Sequence, residues 1–183
     1  FVVAYLGNTG TGHRFDTVVE AAGQLGDHGV AFLFVGGGVR WGELDAARHA
    51  LSRRGTSPVV LRSYVDKSET PRVLAGAGAA LITLDDRARG LMSPSKLHSS
   101  LAAGVPILYV GPEGTNVDDA IARHGCGVSL RTGDAEGLVA AIERLRDDPL
   151  HRHELARAAR AAFDAEYCDL RTLPRFDAVI DPA

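Results

Sequence analysis

The chain has 183 residues, 45% hydrophobic and 23% charged, which suits one globular domain with a substantial core. A net charge of −3 without any long basic run argues against nucleic acid as a partner. Cys126 and Cys168 lack metal-ligand spacing, and no run of about 18 apolar residues could span a bilayer.

Two isolated cysteines suit a reducing compartment, and with no signal peptide in view a cytoplasmic location is expected. The chain opens on apolar residues without an initiating methionine, which we read as excision from a larger two-domain enzyme.

Phe1 to Leu6 reads as a strand and Gly7-Asn-Thr-Gly-Thr-Gly12 as a turn. Phe15, Val18, Val19, Ala22 and Leu25 recur at helical spacing. Val30 to Val35 is a second strand closed by Gly36-Gly37-Gly38, and residues 39–53 form a helix amphipathic through Leu44, Ala47 and Leu51. Trp41 reads as a packing residue. Pro58 to Leu61 is a third strand. Asp66 and Glu69 read as a capping box before a short helix through Val73 and Leu74. Ala79 to Leu84 is a fourth strand, followed by a loop from Asp85 to Met92.

The next stretch organises the chain. Ser93 is placed as an N-cap and Pro94 as the first helical residue, leaving the amides of Ser95 and Lys96 at a positive helix end beside the Lys96 ammonium. Leu97, Leu101 and Ala102 form its apolar stripe, Gly104 ends it, and Val105 to Val110 is a buried strand. Asn116 to Arg123 is helical, and Gly127 to Leu130 is a strand. Asp134 caps a helix through Leu138, Val139, Ile142 and Leu145. An Ala- and Arg-rich helix runs from His151 to Tyr167, and Cys168 to Ala183 read as irregular with room for one short helix, so residues 150–183 form a C-terminal helix and tail. That arginine-rich helix reads as a solvated face, with anionic lipid as the other reading.

Strands alternating with helices predict βαβ units and an α/β fold: a doubly wound, mostly parallel, Rossmann-like sheet of about six strands. In such sheets ligands sit beyond the carboxyl ends of the strands, which gathers the loops after Leu6, Leu61, Leu84 and Val110 on one edge. Known phosphate motifs fail there. Gly7-Asn-Thr-Gly-Thr-Gly-His-Arg has P-loop spacing but carries His13 and Arg14 where lysine and a hydroxyl are needed. The glycines run GxxGxG rather than GxGxxG, and no acidic residue closes the second strand, so a nicotinamide dinucleotide is excluded as well. What remains is a glycine turn with Asn8, His13 and Arg14 facing the Ser93–Lys96 helix end. Such a constellation would hold a diphosphate without a metal. The seven histidines show no metal spacing.

Pro94-Ser-Lys-Leu, Ala102-Ala-Gly104 and Pro106 together resemble the donor-binding half of GT-B glycosyltransferases, nearest to retaining family-four enzymes of bacterial surface polysaccharides. The opening Gly7-Asn-x-Gly-x-x-His13-x-Phe15-Asp16-Thr17 and the later Gly133 to Leu138 and Asp148-Pro149 are similar to the same group. The likeness covers roughly residues 2 to 167. It implies a donor substrate, a UDP- or GDP-linked sugar, bound in a cleft between two Rossmann-like domains, with the acceptor held by the missing N-terminal domain and no metal or other cofactor.

Carried over by position, the Gly7, Asn8, Thr9 and Gly10 turn faces the donor phosphates, with His13 where relatives carry lysine and Asn8 where they carry arginine. Ser63, Tyr64 and Val65 match the base-holding segment, and Pro94, Ser95, Lys96 and Leu97 lie at the diphosphate. A glutamate that grips the ribose in relatives falls on Ser99, and its upstream partner falls on Leu91. Lys96 and His13 are the expected catalytic residues, aided by Arg14, through stabilisation of the departing diphosphate. The isolated domain is expected to be inactive. The full-length enzyme would transfer a hexose to a polysaccharide or lipid-linked acceptor, the latter implying peripheral placement at the inner membrane face. Two other readings stay open: a non-catalytic nucleotide-sugar-binding domain and a sugar-nucleotide epimerase of GT-B architecture.

Overall fold

A computed structural model describes residues 1–26, 28–54 and 59–180, with the backbone alone over 175–179. Among the described residues, six strands form one sheet in the order β3-β2-β1-β4-β5-β6, every pair parallel. They are β1 (Val2–Asn8), β2 (Ala31–Gly37), β3 (Val59–Arg62), β4 (Ala79–Thr83), β5 (Ile107–Val110) and β6 (Gly127–Leu130). The expected start of the third strand at Pro58 lies outside the described residues. The helices are α1 (Asp16–Leu25), α2 (Trp41–Ser52), α3 (Thr70–Ala75), α4 (Lys96–Ala103), α5 (Asn116–His124), α6 (Ala135–Asp147), α7 (Pro149–Ala162) and α8 (Asp169–Ile180). The strand order reverses between β1 and β4, and a crevice opens there beyond the carboxyl ends.

Period-two alternation decides which helix meets which face. Tyr5, Leu81 and Leu108 point to the side covered by α1, α2 and α6, where they join Val18, Leu44 and Leu138. Their neighbours Ile82, Ile107 and Tyr109 point to the side of α4, α5 and α7, joining Leu97, Leu101, Val117 and Ala159. Because both faces are covered, strands such as Ala79–Thr83 are apolar up to their last residue, Thr83, and buried at every position. Trp41 packs against the first of these cores, as its place beside the glycines suggests.

Helix starts divide into those the sequence places well and those it does not. The Asp134 carboxylate accepts the Gly137 amide at 2.9 Å, and Thr115 accepts that of Asp118. The Asp66–Glu69 capping box, in contrast, does not form. Residues 67–69 make a 3₁₀ turn closed by the Asp66 carbonyl, no cap bond reaches the Asp66 side chain, and Glu69 faces Arg72 at 3.7 Å. Asp134→Ala is therefore expected to lower stability by about 1 kcal/mol and the melting temperature by roughly 2 to 4 °C, while Asp66→Ala stays within about 0.5 kcal/mol. Thermal unfolding of the two variants side by side checks this.

α4 begins at Lys96, later than expected. Ser93 lies in the exposed loop and Ser95 takes the cap position without a side-chain bond. The reason is local: the Leu97 and His98 amides close three-residue turns on the carbonyls of Pro94 and Ser95, so backbone oxygens take the role intended for Ser93. At the other end of the chain, α7 starts at Pro149 with Asp148 as its cap and gives way to a π-turn over Phe163–Tyr167. Arg152 donates to the Leu145 carbonyl and Arg160 to that of Ala102, capping the last turns of α6 and α4. These two arginines of the supposed solvated face are thus structural. The tail expected to be irregular is the twelve-residue α8, which contains Pro174. The helix starts cleanly, the Arg171 and Thr172 amides closing on Cys168.

Candidate functional site

The end of β1 and the start of α4 meet at the crevice. Gly7 has φ +123°, a conformation that disfavours any side chain, and a Cβ there would stand 3.3 Å from Lys96 Cε. The lysine stem therefore lies against bare backbone. Its Nζ is 4.6 Å from the centre of the Tyr5 ring and 3.4 Å from His13 Nε2. Among the described residues no carboxylate pairs with this ammonium, and burial alone pushes its pKa down to about 8.

His13 is buried against Tyr5, ring edge to ring face at 5.8 Å. Its Nδ1 stands 2.7 Å from the Thr83 carbonyl, which can only accept, so Nδ1 carries the proton and donates. Nε2 is left with a lone pair and accepts from Lys96. Burial, and then the Lys96 charge, push the imidazole down to about 4. His13 is thus neutral and acts on Lys96 by holding it, with both ring nitrogens engaged.

A cleft of about 320 Å³ opens in front of Lys96. Gly7, Tyr64, Val65, Ser95, Lys96 and Ser99 line it, all of them residues singled out from the sequence. Tyr64 is 61% exposed and its hydroxyl donates to the Gly37 carbonyl, so its ring is tethered at the rim. The Ser99 hydroxyl donates to the Lys96 carbonyl of its own helix. Among the described residues the Ser95 and Lys96 amides have no acceptor.

Other expected residues sit elsewhere. The Thr9 amide and hydroxyl both donate to the Gly37 carbonyl, and its own carbonyl accepts from the Arg40 amide, so Thr9 is a buried strut between two loops. Asn8 is exposed at the end of β1, its carbonyl accepting from Tyr5, and the Gly10 carbonyl closes the turn on the His13 amide. The Arg14 guanidinium is tied to Asp16 at 2.6 Å and does not line the cleft. Leu97 is buried on the inner face of α4, Pro94 is buried just before that helix, and Ser63 is not among the residues lining the cleft.

Leu6, Val35, Lys67 and Thr70 also line the cleft and escaped the sequence reading. A signal for Lys67 was present: of 20 basic residues, only Lys67 and Lys96 are lysines. In a chain that uses arginine everywhere else, both lysines open on one cleft. An unpaired ammonium, two free amides, an apolar wall and a tethered aromatic ring suit an anion joined to a flat, largely apolar group. Among the described residues no carboxylate lines this cleft, and no three His, Cys, Asp or Glu side chains gather to hold a metal. No helix among the described residues is long and apolar enough to cross a membrane.

No family model matches the chain. Over 189 residues it is 26% identical to the protein named "Probable glycosyltransferase WbjE" of Pseudomonas aeruginosa, covering 99% of this chain and 44% of that protein. The chain spans less than half the length of the curated relatives it matches. Among solved structures, Anabaena HepE in complex with UDP and glucose superposes with a TM-score of 0.81 at 13% identity, over 100% of this chain and 48% of HepE. The C-terminal domain of LpcC, a glycosyl transferase group 1 family protein of Francisella tularensis, superposes with a TM-score of 0.76 at 10% identity, over 92% of this chain and 87% of that one. Its sequence relatives carry glycosyltransferase names, and its fold is the Rossmann-like fold of a C-terminal GT-B glycosyltransferase domain.

Proposed function

We propose that this domain binds the sugar-nucleotide donor of a glycosyltransferase. The diphosphate lies against Lys96 and the amides of Ser95 and Lys96, the base beside Tyr64 and Val65, and the ribose near Ser99. One observation carries the reading: a half-buried ammonium with no counter-charge, held by a neutral histidine in an open cleft, is stabilised most by an anionic ligand. HepE, solved with UDP and glucose, supports a uridine-linked donor, with GDP as the other candidate.

In the reaction, a sugar passes to an acceptor and a nucleoside diphosphate leaves. Lys96 and the fixed amides stabilise the charge gathering on that leaving group, in this reading without a metal. His13 is a positioning residue. The acceptor, a polysaccharide or lipid-linked saccharide, belongs to a preceding domain, in a cytoplasmic enzyme working at the inner membrane face when the acceptor is lipid-linked. Domain closure would exclude water. A non-catalytic nucleotide-sugar-binding domain is the second reading, favoured by the absence of carboxylates from the cleft lining.

Calorimetry with UDP, GDP and ADP and their sugars tests the donor reading. Saturable one-to-one binding of UDP or GDP is expected, and no heat from any of them at millimolar concentration would remove it. Arg14→Ala should leave the affinity within about twofold, because that guanidinium is engaged with Asp16 away from the cleft. Sugar transfer by the longer protein separates the enzyme from the non-catalytic domain.

A further inference from the structure

Lys96 has the surroundings of a nucleophilic amine as well as those of an anion ligand. Its Nζ points at a histidine nitrogen that bears a lone pair, since the Thr83 carbonyl fixes the proton on the other side of the ring. The groups around it are His13 from the loop after β1, Tyr5 from β1 itself, and Tyr64 and Lys67 on the far wall of the cleft; none is a carboxylate that would hold the ammonium charged. An amine next to a proton acceptor, inside a cleft suited to phosphate, selects a reagent that joins an electrophilic carbonyl to a phosphate.

We propose that Lys96 is an acylation site, modified by acyl phosphates. The neutral amine attacks the carbonyl carbon and an N–C bond forms. The bond between the carbonyl carbon and the bridging oxygen breaks, and inorganic phosphate, its oxygen–phosphorus bonds intact, leaves with the electron pair. The proton shed by nitrogen passes to His13 Nε2 and on to water. The product is a neutral amide in place of the ammonium, which closes the cleft to a diphosphate; that consequence rests on the donor-site reading, whereas the chemistry rests on the geometry alone. Burial supports the step, because a lysine pushed down to about 8 is neutral in a large fraction of molecules at mildly alkaline pH.

Lys67 makes the chain its own control, being exposed on the same cleft and with no histidine bonded to it. The chain is incubated with acetyl phosphate at pH 8, and each lysine is followed by peptide mass spectrometry. Lys96 is expected to acetylate at least tenfold faster than Lys67, and that ratio should shrink with p-nitrophenyl acetate, which carries no phosphate. His13→Gln keeps an acceptor near the amine but no base, and should slow Lys96 about tenfold while Lys67 is unchanged; circular dichroism confirms that the variant is folded. Equal rates at the two lysines with acetyl phosphate, or the same ratio with the neutral ester, overturn the proposal. Added UDP should protect Lys96 and not Lys67. Selective acetylation that UDP does not slow would sink the donor-site reading and leave the acylation site standing.

Discussion

Lys96→Met should weaken UDP binding about 100-fold, roughly 3 kcal/mol, and at the same time make the domain more stable. Both effects come from one geometry. The ammonium is held over Tyr5 and beside His13 Nε2 with no carboxylate, so the folded protein bears an uncompensated charge until a ligand arrives. Its folded pKa of about 8 lies below the ordinary lysine value of 10.5. A depressed lysine is charged in both states below pH 8, where the destabilisation is fully present. Between about pH 8 and 10.5 the unfolded chain holds more protons than the folded one, and stability rises with pH. Methionine keeps the stem against Gly7 and removes the charge, so about 2 kcal/mol of stability should return at pH 7. That gain should vanish above about pH 10.5. Ligand affinity runs the other way: on the donor-site reading it should fall as pH rises past 8, because the ammonium adds an attraction for the diphosphate that the neutral amine lacks. At pH 8 the wild type should take up a substantial fraction of a proton on binding, seen as a buffer-dependent enthalpy that the methionine variant lacks. Unchanged UDP affinity in Lys96→Met would take the diphosphate away from this residue.

Much of this arrangement is legible in the sequence because it follows from topology. Alternating strands and helices imply parallel order, and parallel order sends the Gly7 turn and the Lys96 end to the same edge. No contact had to be guessed for that. The role of His13 was not legible, because it turns on a carbonyl seventy residues away: only when Thr83 is seen to take the Nδ1 proton does the ring become an acceptor instead of a cation. Arg14 misled for a similar reason, its charge being engaged two residues later by Asp16. The Ser93 cap and the Asp66–Glu69 box were plausible patterns displaced by backbone turns that use no side chain. Local capping chemistry competes with such turns at energies near 1 kcal/mol, too close for pattern alone to decide.

Gly36→Ala is expected to destabilise the domain by about 3 kcal/mol, lowering the melting temperature by roughly 6 to 12 °C, and to weaken nucleotide binding as well. Gly36 pairs with Gly7 where β2 runs beside β1, and its φ is +149°. A Cβ built there would stand 2.1 Å from the Gly7 carbonyl oxygen. Backbone cannot swing aside as a flexible side chain can, so the methyl must push the Gly7 peptide out of place. Gly7 is the surface on which the Lys96 stem lies, and Thr9, two residues on, is bound to Gly37 next door. The displacement should therefore reach the cleft, and both stability and UDP affinity should drop in one variant. Gly42→Ala is the contrasting change. It lies on the exposed side of α2, and an added Cβ meets nothing within 4 Å. Helix propensity alone should then raise stability by about 0.5 to 1 kcal/mol with affinity unchanged. If Gly36→Ala melted like the wild type, the close approach of the two glycine strands that shapes the Lys96 side of the cleft would be refuted.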